Sequence, residues 1–205
     1  GVWMTTAALA GSYRSCQSFL GPKVHSGKQA EQNLAGAIQQ VVGALFYSLE
    51  AHQNFWMSRT EPVALPLFGF KSELDLGPVR VNRKRLFEMF RTGVEELSTI
   101  LSQILSAPVL QQIREVALGQ ENTCHFSDEL WAKTIYEFAV SYHRAVMNRD
   151  HLLQALTPIY RGRVCSYLLE NHGARVAELH KRLEVLHQQF ERLKLDFIQN
   201  WSAKT

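Results

Sequence analysis

Apolar residues recur every three or four positions through most of the chain after residue 29, which is the period of an α-helix with one side facing a core. The first stripe comprises Ile38, Val41, Val42, Leu45, Phe46 and Leu49, the second Leu86, Phe90, Val94, Leu97, Leu101 and Ile104, and the third Trp131, Ile135, Phe138 and Tyr142. The pattern predicts a mainly α protein in which residues 29–205 form a bundle of helices.

Short-range signals divide these stripes into separate helices. Asn82 and Ser127 have side chains suited to capping a helix start, and Pro108 suits a first turn. Gly119 is a natural end for the helix that begins at Pro108. Thr157–Pro158 predicts the start of another helix, which ends near residue 173.

The last predicted helix has the most regular spacing. Its apolar residues alternate in steps of three and four, which is the seam of a coiled coil. They are Val176, Leu179, Leu183, Leu186, Phe190, Leu193 and Phe197. The seam could join two copies of the chain as a homo-oligomer through helix 174–200, or it could pack equally well against another helix of the same chain.

Residues 1–28 lack the helical period. The Thr5–Ala10 run suits a short helix, Gly11 suits its end, and Tyr13–Leu20 alternate loosely like a strand. We therefore expect a short mixed segment at 1–28, followed by a helical domain at 29–205. Because the chain begins inside an apolar segment without an initiator methionine, we expect it to be the C-terminal portion of a longer protein.

A proline-punctuated stretch, Glu61–Phe70, interrupts the helices. The residue before each proline is disfavoured in a helix, which predicts an extended linker. Its apolar content predicts that it packs across the body of the protein. Phe68 and Phe70 could form a ligand platform, but burial against neighbouring helices is the favoured interpretation.

Composition narrows the classes of partner and compartment. A formal charge of +3 over 205 residues is too small to indicate nucleic-acid binding. Cys16, Cys124 and Cys165 are far apart and odd in number, which predicts reduced thiols in a cytoplasmic protein. No apolar run approaches about 18 residues and no charged leader opens the chain, so we predict neither a membrane span nor a signal peptide.

Local motifs for catalysis are missing from the sequence. It contains no phosphate-binding glycine loop, no nucleophile elbow and no zinc-protease helix. Glu73 and Asp75 are the nearest approach to a paired carboxylate. The arginine-rich stretch Tyr142–His151 has two interpretations, an anion site or a solvated connection between helices, and the second is favoured.

Two pairs of segments resemble a known family. Gly1–Thr6 followed by Cys16–His25 resembles the end of the catalytic core of mannosylglycerate and glucosylglycerate synthases, which make compatible solutes. These are retaining glycosyltransferases with a nucleotide-diphospho-sugar transferase α/β fold, in which a helix and a strand lead to a Lys-x-His motif, here Lys23-Val24-His25. Phe126–Trp131 and Tyr160–Tyr167 are similar to helices of the family's C-terminal domain.

The resemblance implies a donor site and a divalent metal. His25 would be a ligand of Mg²⁺ or Mn²⁺, which holds the diphosphate of a nucleotide-diphospho-sugar donor and stabilises the departing nucleotide. Lys23 and Lys28 would add positive charge near the phosphates, although Lys28 matches no position of the family. The acceptor would be glycerate or a similar small acid.

The chain also departs from the family. The carboxylate that follows Gly-Ile in the family is missing, because Val2 runs directly into Trp3. The half with the paired metal carboxylates and the catalytic residues is absent, so we expect this chain alone to be inactive. The alternative is a non-catalytic helical module for interaction or oligomerisation.

Overall fold

The structure is a computed structural model that describes residues 1–20, 34–59, 61–70 and 81–203, and these residues are mainly helical. The prediction of a mainly α fold is therefore confirmed. The chain forms two compact units, Gly1–Val81 and Asn82–Thr205. The boundary predicted after residue 28 stays a prediction, because 21–33 lies outside the described residues. None of the described helices is both long enough and apolar enough to cross a membrane.

The first unit contains three helices and two short strands in its described part. They are α1 (Val2–Ala10), β1 (Gln17–Ser18), α2 (Leu34–Ala51), α3 (Gln53–Met57) and β2 (Leu67–Phe68). Helix α1 ends at Gly11 and packs against α2, whose Val42 and Phe46 are buried. The predicted order of helix, turn and strand is confirmed, although the strand is shorter than Tyr13–Leu20.

Strands β1 and β2 pair in parallel, with Gln17 opposite Leu67. The backbone N–H of Gln17 donates to Pro66 O over 2.8 Å, and that of Phe19 donates to Phe68 O over 3.0 Å. The chain turns away at Gly69, whose φ of +88° disfavours any residue with a Cβ.

The prediction that the proline-punctuated linker buries its aromatic residues is wrong. Phe68 is 59% exposed and Phe70 is 95% exposed. Both strands of the pair are exposed along their length. Backbone hydrogen bonds to β1 hold this segment in place. The linker can therefore be fixed without burial of its side chains.

The second unit is a helical bundle. It comprises α4 (Arg83–Glu96), α5 (Ser98–Ile104), α6 (Ala107–Leu118), a 3₁₀ turn (Glu121–Thr123), α7 (Asp128–His143), α8 (Arg149–Glu170) and α9 (Val176–Ser202). The predicted caps are confirmed, because Asn82 Oδ1 accepts from Arg85 N over 3.0 Å and Ser127 Oγ accepts from Leu130 N over 3.2 Å. Pro108 lies in the first turn of α6.

Helices α4 and α8 make the central contact of the bundle. Gly93 of α4 faces Pro158, and Gly162 of α8 faces the buried ring of Phe90. The predicted helix start at Pro158 is wrong, since α8 already begins at Arg149. The side chain of Asn148 caps that earlier start by accepting from the backbone N–H groups of the next turn.

Helix α9 packs on α7 through its C-terminal half. The rings of Tyr136 and Phe197 stack at 4.1 Å, and those of His143 and Trp201 stack at 4.0 Å between centroids. The apolar seam from Val176 to Phe197 lies on this helix, and we call it the α9 seam; its C-terminal half packs within the chain. In the N-terminal half, Val176 is 61% exposed and Leu183 is 50% exposed.

Candidate functional site

The residues predicted to bind metal and donor, His25, Lys23 and Lys28, lie outside the described residues. The structure does describe the chain that leads to them. β1 is fixed by its parallel partner up to Phe19, two residues before the undescribed stretch 21–33 begins. A strand end followed by a loop is a common position for ligand-binding residues, because the strand fixes the starting point of the loop.

The described part of the chain does not contain a complete set of ligands for a divalent metal. Across residues 1–20, 34–59, 61–70 and 81–203, no three His, Cys, Asp or Glu side chains gather where they could hold an ion. The carboxylate pair Glu73 and Asp75 lies outside these ranges. One imidazole does not hold a hard cation, because Mg²⁺ and Mn²⁺ require several oxygen ligands. The described residues therefore do not fit a metal centre by themselves.

The second unit contains a buried charged cluster around Arg163, whose side chain is only 8% exposed. Its Nη1 donates to Phe126 O over 2.6 Å, and its Nη2 forms an ion pair with Asp128. Glu170 Oε2 lies 3.9 Å from Nη1. The guanidinium thus joins the middle of α8 to the start of α7.

Two further side chains complete this Arg163 cluster. The Ser166 hydroxyl accepts from the Phe126 N–H over 2.8 Å and donates to Glu170 Oε1 over 2.7 Å. His125 Nδ1 lies 2.9 Å from the same carboxylate oxygen. Serine, glutamate and histidine together resemble a nucleophile with its base, but the Ser166 hydroxyl is fully buried and engaged on both sides. The arrangement is suited to holding two helices together and not to attacking a substrate.

A cavity of about 570 Å³ lies in the second unit beside α7 and α9. Val109, Val140 and Phe197 form part of its apolar wall. Its polar lining is largely engaged, since Glu137 accepts from both the backbone N–H and the hydroxyl of Ser106 over 2.8 and 2.7 Å. The volume is in the range of small-molecule sites.

The arginine-rich stretch Tyr142–His151 forms the connection between α7 and α8. Its backbone turns at Ala145, which has a φ of +50°. The guanidinium of Arg149 lies 4.3 Å from the centroid of the Tyr142 ring, and Arg144 Nη2 donates to Asn200 O over 2.5 Å. The prediction that this stretch connects two helices is confirmed.

The Arg163 cluster was missed by reasoning from the sequence. Asp128 follows the capping Ser127, and its arginine partner lies 35 residues away. The available signal was a basic residue inside a predicted helix among apolar neighbours, near Ile159 and Val164. A buried arginine requires a carboxylate partner, but the sequence does not say which one.

Comparisons with known proteins did not identify a relative of this chain. No family model matches the chain, and searches of curated proteins and of solved structures found no match. The resemblance to sugar-glycerate synthases therefore rests on the quoted segments themselves.

Proposed function

We propose that this chain is the C-terminal part of a metal-dependent retaining glycosyltransferase. The intact enzyme would transfer a hexose from a nucleotide-diphospho-sugar to glycerate or a similar small acidic acceptor. The observation that supports this most is the order of elements before Lys23-Val24-His25. Helix α1, the stop at Gly11 and strand β1 follow one another as they do before the Lys-x-His motif of that family.

The pairing of β1 is a second support. Parallel pairing is typical of α/β cores, because parallel strands require a long crossover between them. β1 and β2 are parallel and separated by a long stretch of chain. A short parallel pair next to helices is what the end of a nucleotide-diphospho-sugar transferase core would contribute.

The proposal gives each candidate residue a role. His25 would supply one neutral imidazole to Mg²⁺ or Mn²⁺, and Lys23 and Lys28 would lie near the donor phosphates. A bound divalent ion would offset the charge of the diphosphate. The acidic ligands and the nucleotide pocket would come from residues outside this chain.

Calorimetry on the full-length protein tests the role of His25. We expect a nucleotide-diphospho-hexose to bind in the presence of Mn²⁺. His25→Ala should weaken this binding by about tenfold or more, because loss of even a residue that supports a metal ligand typically has an effect of that size. His180→Ala is the matched control, because His180 is exposed on α9 and has no role in the proposal. Unchanged donor binding in His25→Ala would refute the assignment.

The second candidate function is a helical interaction module. The observation that favours it is the exposure of Val176 and Leu183 in the N-terminal half of the α9 seam. Apolar residues at this spacing are typical of a helix that meets another helix. A second copy of the chain is the partner that the sequence predicts.

Sedimentation velocity tests this second candidate. If the exposed half of the α9 seam joins two copies, the chain should sediment as a dimer and Leu183→Asp should convert it to a monomer. Leu195→Asp is the matched control, because Leu195 is an exposed leucine of the same helix that lies off the seam. A chain that remains monomeric at all concentrations would exclude self-association.

A further inference from the structure

The loop before α7 lies along one turn of α8. Cys124 Sγ is 3.7 Å from Gly162 O, and Phe126 N is 2.8 Å from Ser166 Oγ. These contacts align residues 124–126 with residues 162–166. Cys165 follows Gly162 by three positions and so shares its side of the helix. The register therefore brings Cys124 against the turn that carries Cys165.

This register makes the two thiols neighbours, and neither is in a disulfide. Both side chains are buried; Cys124 Sγ contacts Gly162 O, and Cys165 Sγ lies 3.8 Å from Arg83 O. The neighbouring Cys165 thiol and burial raise the pKa of the Cys124 thiol, while the neighbouring Cys124 lowers the pKa of Cys165. Cys165 is therefore the thiol that ionises more readily.

We propose that Cys124 and Cys165 form a modification site for peroxide, which oxidises them to an intramolecular disulfide. The Cys165 thiolate attacks one oxygen of hydrogen peroxide, giving a sulfenic acid and hydroxide. The Cys124 sulfur then attacks the sulfenic sulfur, the S–S bond forms, and the second oxygen leaves as water after taking up the remaining proton. In total, the two thiols lose two electrons and two protons, and one peroxide becomes two waters.

Access to the site depends on the loop that carries Cys124. Its neighbours Thr123 and His125 are exposed, and the loop lies between the 3₁₀ turn and α7. Opening of this loop alone would admit an oxidant as small as peroxide. Cys16 is exposed and needs no such opening, so the buried pair should react more slowly than Cys16.

The disulfide should stabilise the second unit. The Arg163 cluster already holds the start of α7 against α8. A covalent link between Cys124 and Cys165 would also restrict the unfolded chain, which is the main way that a disulfide stabilises a protein. Oxidation should therefore raise the melting temperature.

The test is peroxide treatment of the chain with Cys16→Ser, followed by peptide mapping without reductant. We expect a peptide that links Cys124 to Cys165, an intact mass lower by two hydrogen atoms, and reversal by dithiothreitol. The melting temperature of the oxidised protein should rise by roughly 5 °C or more. Cys165→Ala in the same background is the control, and it should show neither the link nor the rise.

Three outcomes would overturn the proposal. Both thiols could remain free at peroxide doses that oxidise Cys16 in the parent chain. They could be oxidised separately to sulfinic acids without a link. Finally, in the parent chain treated in the same way, either one could pair with Cys16 in place of its neighbour.

Discussion

Arg163 shows how one buried charge is satisfied by groups from several parts of the chain. Its guanidinium contacts a backbone carbonyl at Phe126 and two carboxylates, at Asp128 and Glu170. Removing one member of such a set leaves the others partly buried and unpaired, which costs more than the intact set contributes. By contrast, Arg192 and Glu129 form their ion pair on the surface, where water compensates either loss.

This contrast gives the first stability prediction. Arg163→Met should lower the free energy of unfolding by about 3 kcal/mol, because it leaves Asp128 and the Phe126 carbonyl without their donor and Glu170 without its cation. Arg192→Met should lower the free energy of unfolding by about 1 kcal/mol or less, because its partner Glu129 is solvated. Urea unfolding of both variants measures the difference, and equal losses would show that the buried cluster contributes no more than a surface pair.

At the same scale, the role of a residue could be predicted from the sequence when its partner is a near neighbour in the chain. It could not be predicted when the partner is distant. Asn82 and Ser127 cap helices through groups three positions away, so their neighbours in the sequence reveal their role. Arg163 depends on residues 35 and 37 positions away. No local pattern encodes such a partner.

At the level of elements, helices α4 and α8 approach each other closely because glycines lie at their contact, Gly93 in α4 and Gly162 in α8. A Cβ added at Gly93 would lie 2.3 Å from Pro158 Cβ, well inside contact distance. The proline ring is rigid and cannot move aside as a flexible side chain would. A hydrogen at position 93 is therefore required for this helix pair to pack.

Gly93→Ala should destabilise the protein by about 1–3 kcal/mol, since the crowding outweighs the better helix propensity of alanine. Gly36→Ala is the matched control in α2, where an added Cβ meets no atom within 4 Å. That change should be neutral or stabilising by up to about 1 kcal/mol. Denaturant unfolding monitored by circular dichroism compares them, and a stabilised Gly93→Ala would contradict the close approach.

Periodicity predicted most helices correctly but misplaced the start of α8. A proline is typical of the first turn of a helix. In the structure, however, α8 begins at Arg149, and nine of its residues precede Pro158. The capping side chain of Asn148 and the contact with Gly93 favour this longer helix. Tertiary packing therefore overrides a local helix-start signal.

On the scale of the whole molecule, buried side chains concentrate in the second unit. The largest fully buried side chains there include Phe90, Phe126, Phe138, Leu101, Ile113, Leu152, Leu156 and Ile159. Such a continuous apolar core is the main requirement for independent folding of a unit of this length.

We therefore expect the fragment Asn82–Thr205 to fold when it is expressed alone. It should give a helical circular dichroism spectrum and a single cooperative unfolding transition. Arg163→Met within the fragment should lower the midpoint, as it should in the whole chain. A fragment without a cooperative transition would mean that the second unit requires the residues before it.

The mainly α architecture could be predicted because core-facing residues repeat with the helix period over long stretches. The candidate site could not be derived in that way. His25 has no periodic context, and its proposed role rests on the likeness of Lys23-Val24-His25 to a family motif. A metal site depends on side chains that meet only in the folded, complete protein.

Helix α9 has 27 residues and is therefore about 40 Å long, yet aromatic stacking holds only its C-terminal half. Its backbone hydrogen bonds should open from Val176 inward, without any unfolding of the bundle. In deuterated water, amides near the start of α9 should exchange quickly and those near Trp201 slowly. Amide exchange rates along this one helix would therefore decrease from its solvent-exposed start to its buried end.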